Sequence, residues 1–132
     1  MDDDFLLLRS DADEEARTTV ALSLVEALRP SARWVSVELG DSVPARAALI
    51  DRARELGLQP GDQSGVVWEG STENAEVWAW AKDCLPVSSW WHLFDGSTPE
   101  SALLAYATDR LGSMCVLASS APEQPSGWLV AN

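Results

Sequence analysis

Short apolar runs alternate along this chain with longer amphipathic stretches, and prolines or glycines stand at the joints between them. That alternation constrains the fold more than any motif does, because strand-length and helix-length segments taken in turn are the mark of strand–helix–strand units. Phe5–Arg9 is too short for a helix and runs into Ser10-Asp11, so it is expected as a strand. Asp11–Arg29 is expected as a helix. Val20, Ala21, Leu24, Val25 and Leu28 recur at three- and four-residue spacing, Asp11 with Glu14 has capping-box spacing, and Pro30 ends the segment. Arg33–Leu39, with Trp34, Val35 and Val37, is expected as a second strand closed by Gly40-Asp41. Ser42–Leu56 follows as a helix with Gly57 as its C-terminal cap.

The same reading continues downstream. Ser64–Trp68 is expected as a third strand, Ser71–Leu85 as a third helix stopped by Pro86, Ser88–Phe94 as a fourth strand and Ser97–Leu111 as a fourth helix. Met114–Ala118 completes the set as a fifth strand, and Gly127–Val130 returns as an antiparallel sixth after the Pro-containing loop Ser119–Ser126. The expected architecture is α/β: a mostly parallel sheet of five to six strands in βαβαβαβαβ order with helices on both faces. Residues 1–132 are expected to form one such domain, since a chain of this length buries about two-thirds of its unfolded surface without staples.

Charge narrows the classes of function. Twenty-one acidic residues against nine basic ones leave a net charge of −12, which argues against nucleic acid and anionic membranes as direct partners. No apolar run approaches the roughly 20 residues of a membrane span, and Met1-Asp2-Asp3-Asp4 is the reverse of a basic signal-peptide start, so a cytoplasmic protein is expected. Eight of the nine basic residues are arginine, a bias associated with bacterial genomes rich in GC. Two cysteines 31 residues apart do not make a disulfide framework, and with the single His92 they fall short of a structural zinc set. Neither a metal nor another cofactor is expected. Glycine-rich phosphate loops and the nucleophile elbow are absent from the sequence.

In a parallel sheet, ligands bind beyond the carboxyl ends of the strands. Under the expected topology Asp11 and Asp13, Asp41, Glu69 and Asp95 occupy four successive strand ends, forming an acidic rim. Such residues also cap helices. A rim of this kind suits Mg²⁺ or a basic partner. Asp11-Ala12-Asp13 has the spacing of a phosphotransfer pair, but Glu14 and Glu15 stand where small or hydroxyl residues belong. His92 shares one strand face with Trp90 and Phe94, which suits a packed histidine better than a general base.

Seven tryptophans are the other unusual feature, four of them between residues 78 and 91. Trp78 and Trp80 point roughly 200° apart on a helix, so only one is expected to face the sheet. An exposed Trp80 among Glu73, Glu76 and Asp83 would have the form of a binding anchor inside a polar rim. The expected function is therefore that of a non-catalytic acidic binding protein, such as an immunity or inhibitor protein that neutralises a basic, toxin-like partner. Its expected surface is Glu73, Glu76, Trp80 and Asp83 with Asp41, Glu69 and Asp95 at the adjoining edge. The alternatives are a small Mg²⁺-dependent or nucleotide-binding enzyme using Asp11, Asp13, Asp41 and Asp95, and an acidic mimic of nucleic acid.

Overall fold

The computed structural model describes residues 5–13, 15–40, 45–61, 63, 65–88, 90–96, 103–108, 111, 113–117, 119 and 127–130. In chain order they form β1 (Phe5–Ser10), α1 (Arg17–Leu28), a 3-10 turn (Arg29–Ser31), β2 (Trp34–Glu38), α2 (Arg46–Glu55) and β3 (Gln59–Pro60). There follow β4 (Val67–Ser71), α3 (Ala75–Cys84), β5 (Trp90–Phe94), β6 (Leu103–Thr108), β7 (Ser113–Leu117) and β8 (Trp128–Val130). The strands make one eight-stranded sheet in the order β3-β4-β2-β5-β6-β7-β1-β8. Every hydrogen-bonded pair in it is antiparallel.

This corrects the expected mostly parallel sheet. The local units are present: β1-α1-β2, β2-α2-β3 and β4-α3-β5 each join strands that run in the same direction, as alternation of pairing along the sheet requires. In no case, however, are the joined strands neighbours. β4 lies between β2 and β3, β2 between β4 and β5, and three strands separate β1 from β2. Each of these strands has only strands of opposite direction beside it, so like-directed strands never pair.

A second correction concerns the expected helix Ser97–Leu111. Leu103–Thr108 is instead strand β6, paired with β5 on one side and β7 on the other. Only four residues separate Thr108 from Ser113, enough for an antiparallel hairpin and far fewer than the dozen that a parallel crossover needs.

The helices do not flank the sheet on both sides either; α1, α2 and α3 all lie against one face. Trp91 and Trp128, which point to that face, donate their indole N–H groups to Ala81 O of α3 (2.9 Å) and Val20 O of α1 (3.3 Å). The Arg54 guanidinium of α2 lies over the ring of Trp68 on the same face, 5.4 Å from its centroid. Among the described residues the other face therefore has no helical layer. The core is therefore a single sheet–helix layer built on Leu8, Val35, Val37, Trp68, Trp91, Leu93, Met114 and Val116 from the strands and Leu24, Val25, Leu28, Ile50, Val77, Trp78 and Trp80 from the helices.

Among the described residues, only α3 of the three helices has a side-chain N-cap; the N-cap positions of α1 and α2, which begin later than the expected Asp11 and Ser42, are Ala16 and Ala45. Asp13 rather than Asp11 supplies the carboxylate at the start of α1, accepting the Ala16 N–H at 3.0 Å, while the Asp11 N–H is spent on Gly127 O at 2.9 Å. Asn74 caps α3 by accepting the Glu76 N–H at 2.9 Å. Gly57, at φ +80°, takes the left-handed conformation that terminates α2.

Candidate functional site

The face of the sheet opposite the helices carries side chains of a different kind. Period-two alternation places Trp34, Ser36 and Glu38 of β2 there, with Glu69 of β4, Trp90, His92 and Phe94 of β5, Tyr106 of β6 and Cys115 of β7. The pairings Ser36↔Glu69, Ser36↔His92, His92↔Tyr106 and Tyr106↔Cys115 align Glu69, Ser36, His92, Tyr106 and Cys115 in one transverse row. At the inter-strand step that row is about 19 Å long.

His92 sits within an aromatic cluster at its centre. Its ring centroid lies 3.9 Å from Trp90, 5.3 Å from Tyr106 and 6.3 Å from Phe94. Burial among those rings disfavours the imidazolium and pushes the His92 pKa down to about 4. A base at neutral pH works best with a pKa near that pH, so this environment makes His92 a weak proton acceptor and a good packing surface. Tyr106 is shifted the other way, its phenol pKa raised by a hydrogen bond with Cys115.

Towards the β3 edge the same face opens into a cleft of about 420 Å³ whose walls include Ser36, Glu38, Glu69, Trp90 and Phe94. Gly61 forms part of its lip, and close approach is the reason for glycine: a Cβ there would lie 2.5 Å from Val67 Cγ1 and 3.2 Å from Glu69 Oε2. Two carboxylates from adjacent strands thus share a concavity with two aromatic rings. Carboxylates pair with guanidinium and ammonium groups, and ring faces attract the same cations. Such an arrangement is chemically able to accept a positively charged side chain.

The surface expected on α3 is reorganised by the tertiary structure. Trp80 is 0% exposed and Trp78 1%, so neither indole is an accessible anchor. The expectation that one must face solvent fails because α3 has neighbours on both flanks. Trp78 donates to Glu26 Oε1 of α1 at 2.7 Å, and Trp80 donates to Leu49 O of α2 at 3.0 Å. Glu73 and Glu76 remain exposed. Asp83 is also exposed, but its carboxylate accepts from Arg52 of α2 at 2.6 Å and so bridges α3 to α2.

Nor do the strand-end carboxylates form one rim. Glu69 lies in the middle of β4, 7% exposed, because that strand runs over Val67–Ser71 rather than ending at Trp68. Asp11 and Asp13 follow β1 at one end of the sheet, whereas Asp95 follows β5 at the opposite end, since β1 and β5 run in opposite directions. Asp41 falls outside the described residues. Among the described residues no group of three or more His, Cys, Asp or Glu is placed to hold a metal ion. Cys84 and His92, close in sequence, are separated by the sheet: Cys84 is buried in α3, where desolvation raises its pKa to about 12.

The cleft residues Ser36, Glu38, Trp90 and Phe94 were not singled out from the sequence as binding residues. Alternation along each strand marks which face they occupy, but only the β2–β5 pairing brings them together. No family model, curated protein or solved structure matches this chain. Among the described residues no helix is long and apolar enough to cross a membrane.

Proposed function

We propose that this chain is a non-catalytic acidic binding protein of the immunity or inhibitor kind, which neutralises a basic protein partner such as a bacterial toxin, and that the partner docks on the open face of the sheet. The observation that carries this reading is the cleft in which Glu38 and Glu69 stand beside Trp90 and Phe94. It is suited to an arginine or lysine side chain, whose charge meets the carboxylates while its stem or guanidinium plane lies on the rings. The net charge of −12 supplies the second element, because a strongly negative body attracts a basic partner over distance and accelerates its capture.

The test is binding to basic nucleases, beginning with any such protein encoded by a neighbouring gene, followed by surface plasmon resonance at two salt concentrations. The expected result is a stoichiometric, inhibitory complex whose association rate falls as salt rises. Glu38→Gln combined with Glu69→Gln is expected to weaken it by about tenfold or more, the scale for losing close interfacial charge pairs. Full affinity in that double variant removes the open face as the docking surface, and no complex with any of these proteins overturns the reading as a whole.

A further inference from the structure

A second cleft of about 420 Å³ lies at the 3-10 turn after α1, sharing no lining residue with the cleft on the open face among the described residues. Its walls include Glu26, Arg29, Arg33, Thr72 and Glu73. We propose that it binds a single carboxylate group, held by Arg29 and Arg33 together with the hydroxyl of Thr72.

The first support is a buried donor in want of an acceptor. Thr72 is 3% exposed, and its Oγ1 has no hydrogen-bond partner among the described residues, although it belongs to the cleft wall. Buried hydroxyls are normally satisfied, so a ligand oxygen at this point would complete an unfinished site.

Charge pairing around the cleft supplies the rest. Glu26 is matched by Lys82 Nζ at 2.7 Å and also accepts the Trp78 indole N–H at 2.7 Å; these two bonds hold its carboxyl pKa below the ordinary value. Arg33 Nε faces Glu73 at 3.9 Å, while one terminal nitrogen donates to Pro30 O and Ala32 O at 3.2 and 3.1 Å. Arg29 is left over. Its guanidinium lies over the Trp78 ring, 5.4 Å from the centroid, and no carboxylate of the described residues stands within ion-pair distance of it. Counting Lys82 behind Glu26, the groups in and around the cleft are three cations (Arg29, Arg33, Lys82) against two carboxylates (Glu26, Glu73), one positive charge in surplus in a protein that is negative overall. One monoanion neutralises it, whereas a phosphate dianion would overshoot beside Glu26 and Glu73. A carboxylate also offers two oxygens to the planar donors of a stacked guanidinium.

The test is an NMR titration of the full chain with sodium acetate, using sodium chloride at matched ionic strength as the control. The expected result is saturable movement of the backbone amides of Arg29, Arg33 and Thr72 with acetate and none with chloride. Arg29→Gln is expected to weaken binding by about tenfold, as loss of a charge-assisted pair does. Thr72→Val is the sharper variant, because it removes the unpaired hydroxyl while keeping the side-chain shape. It is expected to raise the melting temperature and yet weaken acetate binding by about threefold. Acetate affinity unchanged in Thr72→Val, identical shifts with chloride, or tighter binding of inorganic phosphate than of acetate would each overturn the proposal. A capped aspartate peptide added in parallel identifies the source. Tighter binding than acetate assigns the site to a partner's acidic side chain, and weaker binding assigns it to a free carboxylic acid.

Discussion

Val35, Val37, Leu93, Met114 and Val116 on the helix-covered face of the sheet are each 0% exposed, while their strand neighbours Trp34, Trp90, His92, Tyr106 and Cys115 on the other face are half-buried. The two faces are made by the same strands in the same register, so backbone pairing does not distinguish them. What differs is the partner layer. One face is closed by α1, α2 and α3 and carries the apolar burial that holds the chain folded. The other presents titratable and aromatic side chains in rows and contains the acid-lined cleft. Apolar burial and the acid-lined cleft thus lie on opposite sides of one sheet, and residues next to each other in sequence fall on one side or the other according to parity.

The tryptophans carry the largest expected difference between the two faces. Trp80→Ala empties a fully buried site between α3 and α2 and is expected to cost about 3–5 kcal/mol of unfolding free energy in urea titration. Trp90→Ala, on the half-buried face, is expected to cost clearly less. Equal losses would mean that both faces carry core. The thiols give a second contrast: Cys84 is sealed in α3 with its pKa raised to about 12, whereas Cys115 is half-buried on the open face. Native-state labelling of Cys84→Ser and Cys115→Ser with a thiol reagent should show Cys115 reacting about a hundredfold faster, following thiolate access. Similar rates would place the two thiols in equivalent surroundings.

Smaller effects sharpen the picture. Trp78→Phe keeps a six-membered aromatic ring but loses the pyrrole half of the indole and with it the donor to Glu26, and is expected to lower stability by about 2 kcal/mol in the same urea assay. The aromatic cluster around His92 has a signature in pH. Its folded pKa of about 4 lies below the ordinary 6.5, so the unfolded chain binds the extra proton first, and stability falls as pH drops from about 6.5 towards 4. His92→Gln should remove that part of the slope, which cannot exceed one proton; an unchanged slope would show that the ring is not shielded by its neighbours. The smallest change belongs to the exposed Arg52–Asp83 bridge, where Arg52→Ala is expected to cost less than about 1 kcal/mol.

Much of this organisation was legible in local sequence, and the parts that were not have a common cause. The apolar spacing of Val20, Leu24 and Leu28 and the cap at Gly57 located α1 and the end of α2 because both signals depend only on nearby residues. The tryptophans on α3 misled for the opposite reason. A helical wheel gives directions around an axis but not the number of neighbours, and α3 has α1 on one flank and α2 on the other. Leu103–Thr108 misled similarly: its leucines and alanines suit a helix, and pairing to β5 and β7 overrides that preference. The open-face cleft depends on Glu69 and Trp90, residues from two strands that meet only across β2.

Local spacings of two and of three to four residues marked most of the extended and coiled segments and the alternation along each strand, but not Leu103–Thr108, which pairing to β5 and β7 makes a strand. Only the tertiary structure decided that like-directed strands would be kept apart by reversed ones, that all three helices would settle on one side, and that the acids would be divided between the two ends and the open face of the sheet. Strand direction and adjacency are fixed by hydrogen bonds between segments far apart in sequence, and no local window contains both partners.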